Sequence, residues 1–163
     1  MFAPVGTEEI IPRRTFPVAT AAIVAINILV FLYQAFILIT QGEESLNAMI
    51  QAVALVPGLV TEGQSVVLPF YLTIFTAMFV HGGLLHIASN MVYLAVFGDN
   101  VEDLMGPGLY LVFYLLCGLG ASLLQIAADP TSMIPNVGAS GAIAGVLAGY
   151  LLLLPTGTVR ILF

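Results

Sequence analysis

Between Thr15 and Gly42 the chain carries no charged residue, and the run from about Val18 to Thr40 is almost wholly apolar. At about 1.5 Å of rise per residue, a helix over that run crosses a ~30 Å hydrocarbon core. Pro17 precedes it and Gln41-Gly42-Glu43-Glu44 follows it, so both ends are marked. A cleaved signal peptide does not fit: the apolar stretch is too long, and no small-x-small site leads into a polar mature start. The first constraint is therefore a membrane.

The rest of the chain repeats the pattern. A second apolar region begins at Phe70, breaks at His81-Gly82-Gly83 and resumes at Leu84, which predicts a second span over Leu84 to about Val101. The third is predicted from about Leu109 to Ala128, opened by Gly106-Pro107-Gly108 and closed by Asp129-Pro130. The fourth begins near Gly138 and ends at Pro155, about 25 Å if fully helical. Between the first two lies a long mixed connection, Gly42 to Pro69. There Ser45 can cap a helix over Leu46 to Val56, with Leu46, Met49, Ile50 and Val53 on one face and Asn47 and Gln51 elsewhere. Pro57-Gly58 is expected to stop it, and such a helix suits the membrane interface. The expected fold class is an all-α polytopic helical bundle with four transmembrane helices. Residues 1–16 form a cytoplasmic N-terminal segment, 17–155 the membrane domain, and 156–163 a cytoplasmic-side segment.

Charge narrows the function classes. Hydrophobic residues make up 60% and charged residues 7%, and mean hydropathy is +1.10, far from a soluble domain with roughly 25% charged residues. Arg13, Arg14 and Arg160 are the only cations, which leaves no basic surface for nucleic acid. Arg13 and Arg14 before the first span place the N-terminus in the cytoplasm, and four crossings return Arg160 to the same side. A bacterial-type plasma membrane is the expected location. The single cysteine, Cys117, excludes an internal disulfide and reads as a small buried hydrophobe.

Within that frame a few polar residues stand out. His81 and His86 are five apart, roughly 140° around a helix, and lack the i, i+4 spacing with an intervening glutamate that a zinc site of that type needs. No metal or cofactor is expected. His86 and Asn90 share a helical face, and polar groups inside a span are costly. They serve either as interhelical glue or as a functional pair. Ser140, in Gly138-Ala-Ser140-Gly141, opens the fourth span. Gly141, Gly145 and Gly149, interleaved with Ala144 and Ala148, form a small-xxx-small seam to which Ser140 could simply belong. The topology nonetheless puts Asn90, roughly 9 Å below Leu84, at the same shallow depth as Ser140 in its first turn.

The run His81-Gly-Gly-Leu-Leu-His86-Ile-Ala-Ser-Asn90-Met, continuing to Phe97-Gly98 and Glu102, resembles the second transmembrane helix of rhomboid intramembrane serine proteases. Gly138-Ala-Ser140-Gly141 resembles the Gly-x-Ser-Gly of that family's fourth helix, and the resemblance covers about residues 17 to 155. It implies Ser140 as nucleophile of a Ser-His dyad. Asn90, His86 and the Ser140 N–H would line the oxyanion hole, His81 would shape the entrance, and Glu102 would brace the inner end of the second helix. Its substrates would be transmembrane segments of other membrane proteins, met within the lipid bilayer. The family core has six spans, with the general-base histidine on the sixth. Here no histidine follows Ser140, and Ala144 stands where many members carry an aromatic. The chain is therefore expected to be part of a longer protease and inactive by itself. The alternative is a non-catalytic rhomboid-like protein that binds transmembrane clients.

Overall fold

A computed structural model describes residues 3–8, 15–64 and 67–162. The chain runs β1 (Ala3–Glu8), α1 (Val18–Val53), α2 (Pro57–Thr61), α3 (Phe70–Thr76) with a 3-10 turn over Ala77–Phe79, α4 (Leu84–Met105), α5 (Pro107–Ala128), α6 (Ser140–Leu153) and β2 (Thr158–Leu162). Helices dominate, as the apolar runs predict. Arg13 and Arg14, on which the orientation rests, lie outside the described residues.

α1 is two helices in one register of sequence. Gly42, at φ 83° and ψ 176°, leaves the helical region and breaks the segment where the apolar run ends. Beyond it the amphipathic pattern holds: Leu46, Met49, Ile50 and Val53 are half-buried, while Asn47 and Gln51 are exposed. This helix ends at Val53, three residues short of the expected Val56. Pro57 does not act as the stop. It occupies the first turn of α2, where a missing N–H costs nothing.

α3 and its 3-10 turn meet α4 at 82°, so the bent pair is either one broken span or a re-entrant segment. α1 and α5 are each long and apolar enough to cross a membrane, and the bent pair makes a third where it is one span. α6 has 14 helical residues, which at about 21 Å fall short of the hydrocarbon core. Gly138 (φ +119°) delays its start and Pro155 enforces its end, so the expected fourth span is shorter than Gly138–Pro155. α4 runs on past Val101 to Met105, where Gly106 at φ +76° ends it with an N–H bond to the Glu102 carbonyl at 2.7 Å.

The core forms where α4, α5 and α6 meet α1: Ile23, Leu94, Phe97, Val101, Tyr110, Tyr114, Ile143, Val146 and Tyr150 are its buried residues. The glycine seam of α6 faces α5. A side chain at Gly141 would strike Ala121, one at Gly145 would strike Cys117, and one at Gly149 would press on Phe113. Close backbone approach is what the small residues provide. Ser140, Ala144 and Ala148 lie on another face of α6 and are exposed. Ser140 is therefore not part of the packing seam.

The two ends of the chain hold a surprise for a purely helical expectation. β1 and β2 pair antiparallel, from Ala3↔Leu162 to Glu8↔Thr158, with an irregularity between Pro4 and Gly6. β1 rests on α4, where Asn100 Nδ2 donates to Thr7 Oγ1 at 2.9 Å. Nearby, both carboxylate oxygens of Glu102 cap α1: Oε1 accepts from the Ala19 N–H at 2.8 Å and Oε2 from the Thr20 N–H at 2.7 Å. Pro17 offers no capping side chain, so Glu102, 82 positions beyond Thr20, supplies one.

Candidate active site

The site forms where the turn before α4 meets the turn before α6. Three backbone ties fix the second turn. Asn136 bridges Leu55 through N–H···O bonds of 3.1 and 2.7 Å, the Gly58 N–H donates to the Ser132 carbonyl at 2.9 Å, and the Gly138 N–H donates to the Ala77 carbonyl at 2.8 Å. The long connection after α1 is thus bonded directly to the loop that delivers Ser140.

Gly138 is the point of contact with α4. A Cβ there would sit 2.7 Å from His86 Nε2, 2.8 Å from His86 Cε1 and 3.7 Å from Asn90 Nδ2. With φ at +119° as well, only glycine suits the position. The structure thus brings His86 and Asn90 together against the backbone two residues before Ser140. Asn90 is 6% exposed, and its Nδ2 has no hydrogen-bond partner. A buried amide without a partner costs about 1–3 kcal/mol, so an orphan of this kind asks for an explanation.

His86 Nδ1 accepts from the Gly82 N–H at 3.3 Å, which leaves Nε2 toward Gly138. His81 lies behind it, the two rings edge to face with centroids 5.0 Å apart. His81 is in the connection between α3 and α4, 1% exposed, with neither ring nitrogen partnered. Its backbone is held by Gln34 of α1: Gln34 Nε2 donates to the His81 carbonyl at 2.9 Å, and Gln34 Oε1 accepts from the His81 N–H at 3.1 Å.

Ser140 opens α6, exposed, where first-turn N–H groups have no intrahelical acceptor. It borders a cavity of about 140 Å³ whose polar lining comes from Ser122, Gln125 and Asn136. Glu102 is not in this neighbourhood; it belongs to the opposite end of α4. Among the described residues no three His, Cys, Asp or Glu side chains cluster in a way that could hold a metal ion. Sequence reasoning missed Gln34, although it left a trace. A carboxamide inside an uncharged span is costly, which by itself marks it for attention.

The family model for the Rhomboid domain matches residues 70–163. Rhomboid protease GluP of Bacillus subtilis is 30% identical over 146 residues, 89% of this chain and 26% of that protein. RHOMBOID-like protein 5 of Arabidopsis thaliana is 36% identical over 76 residues, 47% of this chain and 25% of its own length. Rhomboid-like protein 11, chloroplastic, of the same plant is 40% identical over 81 residues, 49% of this chain and 28% of its own length. The chain thus spans about a quarter of these relatives. No solved structure matches it.

Proposed function

The chain belongs to the rhomboid family, and from that premise we propose that it carries the nucleophile and oxyanion-binding half of an intramembrane serine endopeptidase. The observation that carries this reading is the pairing of an unpartnered, buried Asn90 amide with His86 Nε2 at Gly138, two residues before an exposed serine. A neutral seam would satisfy its own polar groups; donors left open beside a nucleophile suit a charge that develops only during reaction.

In this mechanism Ser140 Oγ attacks the scissile carbonyl of a transmembrane segment. The oxyanion that results accepts from Asn90 Nδ2, His86 Nε2–H and the Ser140 N–H. Removal of one such donor typically costs ~10²–10³ in rate. A serine hydroxyl also needs a base. Of the two histidines here, His86 faces the donor side and His81 is buried behind it, so the base is assigned to a histidine outside residues 1–163 of the full-length protein. Residues 1–163 alone are expected not to cleave.

The N-terminus is assigned to the cytoplasm. Arg13 and Arg14 support this by the positive-inside rule. The β1–β2 pairing sets the first strand and Arg160 at the same end of the bundle, so the rule applies to both ends alike.

The test is covalent labelling of the full-length protein by a serine-directed phosphonate, in bilayers, against Ser140→Ala. Labelling of the parent alone supports the protease. Equal labelling of the two removes it and leaves a client-binding rhomboid-like protein.

A further inference from the structure

His86 can donate to an oxyanion only if Nε2 carries the ring's proton and points the right way. A neutral imidazole has one N–H, and the partner of one nitrogen decides where the proton sits. Here Nδ1 meets a donor, the Gly82 N–H, so the proton belongs on Nε2, the atom nearest Gly138. The difficulty lies one step back. Gly82 sits in a His-Gly-Gly turn outside any helix, and two successive glycines give that turn no conformational preference of its own.

Gln34 removes that freedom. It is 3% exposed, 47 residues away on α1, and both ends of its carboxamide bond the backbone of the single residue that precedes Gly82. A planar amide bonded to an N–H and a C=O of one residue fixes that residue's position and orientation together. We propose that Gln34 is a positioning residue for His86. By clamping the His81 backbone it holds the Gly82 N–H on His86 Nδ1, and so keeps the Nε2–H tautomer aimed at the site. The proposal rests on the reading that His86 serves the oxyanion.

The test uses the full-length protein in lipid bilayers, with ¹⁵N-labelled histidine and solid-state NMR. The His86 signals are assigned by their loss in His86→Gln. The parent should show the Nε2–H tautomer. Gln34→Met, nearly the same shape without the bonds, should show both tautomers, with kcat down roughly ten- to a hundredfold and KM little changed. Unaltered His86 signals in a folded Gln34→Met overturn the proposal.

If that variant does not fold, Gln34→Glu decides. A buried carboxyl holds its proton to raised pH. While protonated it both donates to the His81 carbonyl and accepts from the His81 N–H, so His86 should match the parent. As it ionises, the tautomer should be lost in a pH range where the parent does not change. A Gln34→Glu profile that follows the parent throughout overturns the proposal. The two readings fail separately. A phosphonate that labels nothing at Ser140 removes the protease but leaves the tautomer result standing. Unchanged tautomers beside Ser140-dependent labelling remove only the role of Gln34.

Discussion

The two ends of α4 are built from similar materials and used in opposite ways. At its C-terminal end, the Glu102 carboxylate is 1% exposed, and both of its oxygens accept from the first N–H groups of α1. Asp103 Oδ1 accepts from the N–H and Oγ1 of Thr15, each at 2.8 Å, and Asn100 reaches β1. The hydroxyls of Thr20 and Tyr110 meet beside Gly98. At the N-terminal end of α4, Asn90 Nδ2 and both ring nitrogens of His81 have no partner, although the backbone around them is firmly tied. Paired polar groups hold helices together. Under the proposed function, the unpaired Asn90 donor on its rigid frame is left for the oxyanion.

That contrast is open to direct attack. The largest effect is expected at the C-terminal end of α4: Glu102→Ala should cost about 3 kcal/mol of stability, because two charge-assisted bonds and a helix cap go at once. Unfolding in detergent or bilayers measures it, and probe labelling per folded molecule should be unchanged. Asn90→Leu should do the reverse. It keeps the volume and removes an unpartnered donor, so stability should hold within ~1 kcal/mol while kcat falls ~10²–10³. A stability loss that matched Glu102→Ala would make Asn90 a structural residue and collapse the distinction. Gly138→Ala should strain the turn by roughly 1–3 kcal/mol and displace His86, impairing both thermal stability and labelling. The smallest change belongs to Asn100→Ala, about 1 kcal/mol or less, with labelling retained. A loss of labelling there would show that the C-terminal end of α4 reaches the site.

The same asymmetry explains what could be read from the sequence. α5 was legible within two residues, because Gly106-Pro107 and Asp129-Pro130 punctuate it in both directions. The break at Gly42 and the amphipathic helix beyond it were legible for a similar reason, polar residues at regular offsets. The length of α4 was not, since Asp99, Glu102 and Asp103 look like an exit into water until α1 is seen to absorb Glu102. Periodicity could not decide whether Ser140 joins the glycine seam, because that depends on which neighbour α6 faces. The β1–β2 ribbon left no signal either. Its strands are short, lack clean alternation and pair across nearly the whole chain.

That last pairing sets an order of events. Glu8 and Thr158 are partners, so β1 must wait through the synthesis of 150 further residues (158 − 8) before its strand exists. At ~5–20 residues per second, that is on the order of ten seconds or more, during which the intervening helices enter the bilayer. Closing so long a loop first would be entropically unfavourable, so the ribbon is expected to form after the helices have brought its ends together. A chain whose two ends were held on opposite faces of a membrane could not form it at all.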